Sequence, residues 1–131
     1  MLTDAMAVAT IPVTDLEQSL PFYRDVLGLQ LLDQNDFALC FGAGAGSQIS
    51  VFKRPPVERG HTMAHFEVSD IAAEVAAIKS RGGIFEEYDL PYLKTENGIA
   101  QTGPSRSAWL KDPDGNVLGL RDGPVPARNA K

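Results

Sequence analysis

The chain has 131 residues, a single cysteine, and 17 acidic against 12 basic side chains, which give a formal charge of −5. Its length corresponds to one domain, and its apolar (44%) and charged (22%) fractions are ordinary for a globular protein. The acidic balance argues against nucleic acid as a partner, and no apolar run approaches the ~20 residues of a membrane span. Because Cys40 has no second cysteine to pair with, we expect a reducing, cytoplasmic location.

The first half of the chain predicts one strand, one helix and three short strands. Apolar alternation from Ala7 to Val13 predicts the first strand, and Asp15 is placed to cap the following helix. Pro21 should kink or delay that helix, and Gly28 should end it. Further strands are predicted over 30–33, 37–41 and 48–52. The glycine-rich stretch 42–46 is interpreted as a hairpin turn rather than a phosphate loop, because a strand follows it and not a helix.

The second half repeats this order. A strand is predicted over 62–69, and Asp70 should cap a helix with one apolar face. Three more strands are predicted over 84–87, 107–111 and 117–121, the last two joined by a turn at 112–115. The long connection 88–104 is interpreted as a lid or a disordered loop.

A repeated phrase relates the two halves. Val13-Thr14-Asp15-Leu16 returns 55 positions later as Val68-Ser69-Asp70-Ile71, each time between a strand and a helix. One β-α-β-β-β unit is therefore used twice, over about 5–54 and 61–122, with a tail at 123–131 that we expect to be disordered. A ligand site is expected where the two copies meet.

These motifs carry a family resemblance. The segments 15–29, 66–70 and 112–116 resemble three landmarks of the vicinal oxygen chelate superfamily, which includes glyoxalase I, extradiol dioxygenases, and fosfomycin- and bleomycin-resistance proteins. The resemblance implies an α+β fold, in which two tandem modules form an open, barrel-like mixed sheet around a cavity. It also implies a homodimer. It does not fix the function, because one fold supports many chemistries.

Members of this superfamily that are enzymes bind a divalent metal through side chains on the first and fourth strands of each half. The matching positions here are Val8, Ser50, Met63 and Gly119. Divalent ions require imidazole, carboxylate or thiolate ligands, which none of these residues supplies. We therefore expect no metal at this place and no other cofactor.

The alternative is a displaced site built from residues near these positions. Alternation places Met63, His65 and Glu67 on the face that the family turns toward its cavity. His65 and Glu67 are the candidate catalytic residues and the candidate ligands of a displaced metal, which Gln48 or Thr10 would complete. Alternatively, His65 is a hydrogen-bonding wall residue, and Glu67 is solvated or paired with Arg121.

A small-molecule pocket is predicted from the remaining side chains. Few polar groups among many apolar ones are typical of such pockets, and aromatic rings favour a flat ligand. Alternation does not decide which face Trp109 takes, and Cys40 is interpreted as an inert thiol. The predicted ligand-binding residues are Thr10, Gln48, Ser50, Phe52, Met63, His65, Tyr92 and Trp109.

Three functions follow as hypotheses. The first is a metal-independent binder of a small aromatic or amphipathic molecule, similar to the bleomycin-resistance proteins. The second is a glyoxalase-, epimerase- or dioxygenase-like enzyme with a displaced metal site at His65 and Glu67. The third is a scaffold whose cavity has no role.

Overall fold

A computed structural model describes residues 1–58 and 60–124 of the protein. The α-helices of these residues are α1 (Leu16–Pro21) and α2 (Ile71–Ser80). The strands are β1 (Val8–Val13), β2 (Gln30–Gln34), β3 (Ala38–Gly42), β4 (Gln48–Lys53), β5 (Thr62–Glu67), β6 (Asp89–Leu90), β7 (Leu93–Lys94), β8 (Ile99–Thr102), β9 (Ser105–Lys111) and β10 (Val117–Asp122). The predicted tail lies outside the described residues from position 125 onward.

Two four-stranded sheets form the body of the protein. The first has the order β1-β4-β3-β2, and the second has the matching order β5-β10-β9-β8. In each sheet the first strand pairs in parallel with the last, and the remaining pairs are antiparallel. The predicted α+β fold of two β-α-β-β-β modules is confirmed. The sheets do not close into a barrel.

The helix that follows β1 changes its winding at Pro21. The Asp15 carboxylate accepts hydrogen bonds from the backbone N–H groups of Glu17 and Gln18, so the predicted cap is present. The α-helix runs to Pro21 and continues as a π-helical turn over Phe22–Val26. Proline has no N–H for the α-helical ladder, which accounts for the irregularity expected there. Gly28, with φ of +77°, ends the segment in the left-handed region.

The connection after α2 differs from the prediction. The strand predicted over 84–87 is a single bridge, from Phe85 to Leu110. The strand that pairs with β9 on the edge away from β10 is β8, which lies within the stretch interpreted as a lid or a disordered loop. That stretch also contains the hairpin β6–β7. An insertion therefore splits the second strand of this module into Phe85 and β8, which the 55-residue repeat did not reveal.

One hydrophobic core joins both modules. The helix-side faces of the two sheets and both helices contribute to a single buried cluster, and Ile71, Val75 and Ile78 form the predicted apolar face of α2. On the opposite, open faces of the two sheets, side chains such as Val8 (39% exposed) and His65 (55% exposed) are accessible to solvent in the part of the chain that the structure describes. No helix within the described residues has the length and apolar composition that a bilayer span requires.

The turn between β9 and β10 ties the second module to the first. Asp112, 5% exposed, accepts hydrogen bonds from Tyr23 Oη (2.7 Å) and from Asn116 Nδ2 (2.8 Å). The same Asn116 amide group donates to the carbonyl of Pro12 at 2.8 Å. The carboxylate of Asp114 accepts from the hydroxyl of Thr14 at 2.7 Å. The predicted turn is therefore also a joint that fixes the orientation of the two modules.

A second carboxylate, Asp122, holds the start of α2. It accepts from the backbone N–H of Ile71 at 3.0 Å and from Arg106 Nη2 at 2.7 Å. The Arg106 guanidinium, together with the Ile71 N–H, lowers the pKa of Asp122 below its ordinary value. The carboxylate therefore stabilises the folded chain above the pKa that it has when unfolded, and this contribution is lost as pH falls through the lower, folded pKa.

We expect the free energy of unfolding to fall on acidification below about pH 4, the ordinary range of an aspartate. Asp122→Asn should be less stable than the unsubstituted chain at pH 7 and should lose less stability on acidification. Urea unfolding from pH 7 to pH 3 measures both effects, and exposed Asp33→Asn is the control. Identical pH dependence of the Asp122→Asn variant and the unsubstituted chain would contradict this assignment.

Candidate functional site

The open face of the first sheet carries four of the predicted ligand-binding residues. Thr10 pairs with Ser50, and Ser50 pairs with Cys40, so the three side chains form one row across the sheet. The next row contains Pro12, Phe52 and Ala38, and the third contains Val8, Gln48 and Gly42. Paired residues in neighbouring strands point to the same face. Thr10, Gln48, Ser50 and Phe52 therefore share one surface, as alternation predicted.

The open face of the second sheet carries Trp109. Gly119 pairs with His65 on one side and with Trp109 on the other, which places both side chains on the same face. This register settles the orientation of Trp109, which alternation left open. The neighbouring row joins Glu67, Arg121 and Ser107.

The strict alternation does not hold at Met63. Thr62 pairs with Val117 and Ala64 with Leu118, so Met63 is the extra residue of a β-bulge. Its side chain packs against the hydrophobic core. Thr62 lies beside Gly119 instead, with its Cγ2 3.5 Å from the position of a Cβ there.

Gly119 allows Trp109 and His65 to lie close together. A Cβ at position 119 would lie 3.2 Å from His65 Cβ and 3.6 Å from Trp109 Cδ1. Gly119 itself is buried. The space that a side chain would need at this position is thus bounded by an imidazole and an indole.

His65 and Glu67 contact each other and a third charged group. His65 Nε2 lies 3.1 Å from Glu67 Oε2, and Arg121 donates to the other oxygen of the same carboxylate. The His65 side chain is 55% exposed. Glu67 thus has the arginine partner that one of the two alternatives predicted, and its negative charge is balanced locally.

Trp109 is supported by a residue that sequence reasoning did not single out for this role. The Tyr88 ring packs edge-to-face against the indole, with centroids 5.7 Å apart and planes at 78°. Lys111 and Glu86, each two residues from one of these rings in sequence, form an ion pair at 3.3 Å. No periodic pattern indicated Tyr88, because it lies in the insertion. Tyr92, predicted to lie on a lid, is at the tip of the β6–β7 hairpin and is 84% exposed.

The side chains at the family's metal-ligand positions supply no suitable donors. The four family positions hold an isopropyl group, a hydroxyl, a thioether in the core and no side chain. Across residues 1–58 and 60–124, no three His, Cys, Asp or Glu side chains are grouped as metal ligands would be. His65 and Glu67 supply two donors, and Arg121 competes for the carboxylate. These residues do not fit a divalent metal, which requires three or four such ligands.

A separate groove opens where the modules meet on their helix side. It has a volume of about 450 Å³ and, of the predicted site residues, Glu67 alone lines it among the described residues. Its remaining lining includes Leu27, Leu29, Phe66, Ile78 and Leu120. The groove meets the two open sheet faces only at their edge, through Gly42 and Glu67, and its other lining residues lie elsewhere.

Comparison with known proteins identifies the family. The sequence model of the glyoxalase/bleomycin resistance protein/dioxygenase superfamily matches residues 5–120. A probable lactoylglutathione lyase of Vibrio cholerae is 33% identical over 122 residues, which cover 82% of this chain and 83% of that protein. A probable lactoylglutathione lyase of Synechocystis is 31% identical, over 84% of this chain and 88% of that protein.

Solved structures agree on the fold. FosX, a fosfomycin resistance protein from Listeria monocytogenes, has a TM-score of 0.70 and 18% identity, covering 93% of this chain and 95% of FosX. TnmS3, an antibiotic binding protein from Streptomyces, has a TM-score of 0.65 and 23% identity, covering 95% and 99% of the two chains. The chain belongs to the glyoxalase/bleomycin resistance protein/dioxygenase superfamily.

Proposed function

We propose that this chain is a metal-independent binding protein for a small aromatic or amphipathic molecule. The observation that carries the proposal is the row His65–Gly119–Trp109, in which an indole lies beside the position where the family's enzymes hold a metal ligand. An aromatic plane with a polar imidazole beside it suits a flat ligand that has a hydrogen-bonding group. We also propose that this binding protein is cytoplasmic, as its single cysteine predicts.

We further propose that the ligand site is completed in a homodimer. The open face with Thr10, Ser50 and Phe52 belongs to the first sheet, and the face with Trp109 belongs to the second. The helix sides of both sheets are occupied by the shared core. A second copy is the simplest partner that can cover both open faces, because each copy carries both surfaces.

The second candidate function is an enzyme. It is supported by the similarity of this chain to the two probable lactoylglutathione lyases. A lyase with a displaced metal site would have to use His65 and Glu67. The contact of Glu67 with Arg121 and the absence of a third grouped donor among the described residues favour the binding role.

Titration with antibiotics, starting with bleomycin, tests the binding role. Trp109 is the only tryptophan in the chain, so its fluorescence reports directly on the proposed site. We expect saturable quenching with the same affinity in EDTA and in buffer without chelator. Binding that requires an added divalent ion, or a panel in which no compound binds, would contradict the proposal.

A further inference from the structure

The Glu67 carboxylate is shared between a guanidinium and an imidazole. Arg121 donates from Nη1 to Glu67 Oε1, and its Nη2 donates to the carbonyl of Pro124 at 3.0 Å. His65 Nε2 lies 3.1 Å from the other carboxylate oxygen, Oε2. The guanidinium is held at two points, so it fixes the carboxylate beside the imidazole.

This contact decides which ring nitrogen of His65 carries the proton. A neutral imidazole has one N–H donor and one lone pair that accepts, whereas an ionised carboxylate only accepts. A lone pair on Nε2 would be repelled by Oε2 at 3.1 Å, and an N–H at the same place is attracted to it. The proton of the neutral ring therefore lies on Nε2, and Nδ1 carries the lone pair.

Nδ1 is left as an acceptor on the face that carries Trp109. The His65 side chain is 55% exposed, and Glu67 is its polar partner among the residues that the structure describes. The ring stands beside the gap at Gly119, where a Cβ would lie 3.2 Å from His65 Cβ and 3.6 Å from Trp109 Cδ1. A flat ligand that packs on the indole therefore comes close to the imidazole.

We propose that the ligand of this face presents a hydrogen-bond donor, an N–H or a hydroxyl group, to Nδ1 of His65. Glu67 and Arg121 are positioning residues that set this preference through the proton on Nε2. The inference rests on the proposed binding role and narrows its ligands to flat aromatic compounds that carry a donor. A polar group that only accepts, such as an ether or a carboxylate, would face the lone pair and is disfavoured.

Benzimidazole and N-methylbenzimidazole are matched probes for this preference. Both are flat and share one acceptor nitrogen, but only benzimidazole has an N–H donor. We expect the unsubstituted chain to bind benzimidazole about tenfold more tightly, the size of one hydrogen bond. Equilibrium dialysis at about pH 8, where a free imidazole is neutral, measures both affinities. Equal affinities, or tighter binding of the methylated probe, would overturn the inference.

Glu67→Gln tests the positioning role. Arginine only donates, so the new amide oxygen should face Arg121 and the amide N–H₂ should face Nε2 of His65. Nε2 must then accept, and the proton moves to Nδ1, where it can be donated to the acceptor that both probes share. We therefore expect the preference for benzimidazole to fall to about one. Glu86→Gln, which changes the carboxylate paired with Lys111, is the matched control and should keep the preference.

Nitrogen NMR of the histidine side chains gives a readout that does not depend on a ligand, because the shifts of the two ring nitrogens distinguish the tautomers. At the same pH we expect His65 to be protonated at Nε2 in the unsubstituted chain and at Nδ1 in Glu67→Gln, with His61 as the internal reference. A proton on Nδ1 in the unsubstituted chain, or an unchanged preference in Glu67→Gln, would overturn the inference.

The same samples separate this inference from the proposed function. If neither probe binds while bleomycin quenches Trp109, the donor preference is wrong and the binding role stands. If neither the probes nor any antibiotic binds, both are wrong.

Discussion

Asp112→Ala is expected to lower the free energy of unfolding by about 3 kcal/mol or more, because a buried carboxylate that accepts several hydrogen bonds is removed. Besides Tyr23 and Asn116 Nδ2, the backbone N–H groups of Asp114 (3.0 Å) and Asn116 (2.8 Å) donate to it. These bonds hold the 112–116 turn in shape, and that turn carries the contacts to Thr14 and Pro12 in the other module. Loss of the carboxylate should therefore loosen the joint between the modules as well as the turn.

Urea unfolding measures this effect, with two comparisons. Tyr23→Phe removes one donor to the same carboxylate and is expected to cost about 1 kcal/mol, the usual net value of one hydrogen bond. Asp36→Ala changes an exposed aspartate and should stay within about 0.5 kcal/mol of the unsubstituted chain. An Asp112→Ala variant as stable as Tyr23→Phe would contradict the role of Asp112 as the centre of the joint.

Trp109→Ala is expected to weaken ligand affinity about 100-fold, a loss of the size found when a buried aromatic anchor is removed from a binding site. Trp109→Phe keeps an aromatic plane on the same row as His65 and should lose affinity about tenfold or less. Calorimetric titration with bleomycin, or with whichever antibiotic of the panel binds the unsubstituted chain, gives the affinities.

Two controls separate binding from folding in this series. Phe37→Ala removes an exposed ring one residue before β3, in the first module, and should bind like the unsubstituted protein. Thermal unfolding of Trp109→Ala checks that the variant is folded at the titration temperature. A folded Trp109→Ala variant with undiminished affinity would show that the ligand does not use this face.

Local signals predicted much of the fold. Asp15 and Asp70 cap the two helices because a short acidic side chain accepts bonds from free N–H groups at a helix start. The turn at 112–115 followed from its proline and glycine content. The second strand of the second module was misplaced, although Asn97-Gly98 is a strong hairpin signal and both residues have positive φ, at 53° and 82°. The predicted strand over 84–87 is only the bridge of Phe85 to Leu110.

The site was less accessible to sequence reasoning. The sheet face on which Trp109 lies depends on the pairing of β9 with β10. Alternation within β9 shows only which residues share a face, and not which face it is. The bulge at Met63 interrupts the period of two on which its placement depended. Tyr88 lies in the insertion, where there is no periodicity to read. The contact of Glu67 with Arg121, in contrast, was one of the two alternatives that the sequence offered for this carboxylate.

Thermal unfolding with and without divalent ions tests the absence of a metal centre most directly. The protein is treated with EDTA and desalted, and its melting temperature is measured with equimolar Mn²⁺, Co²⁺, Ni²⁺ and Zn²⁺, for the unsubstituted chain and for His65→Ala. A ligand that binds only the folded state raises the melting temperature. We predict no rise for any of the four ions. A rise of several degrees that His65→Ala abolishes would contradict the account and establish a displaced metal site.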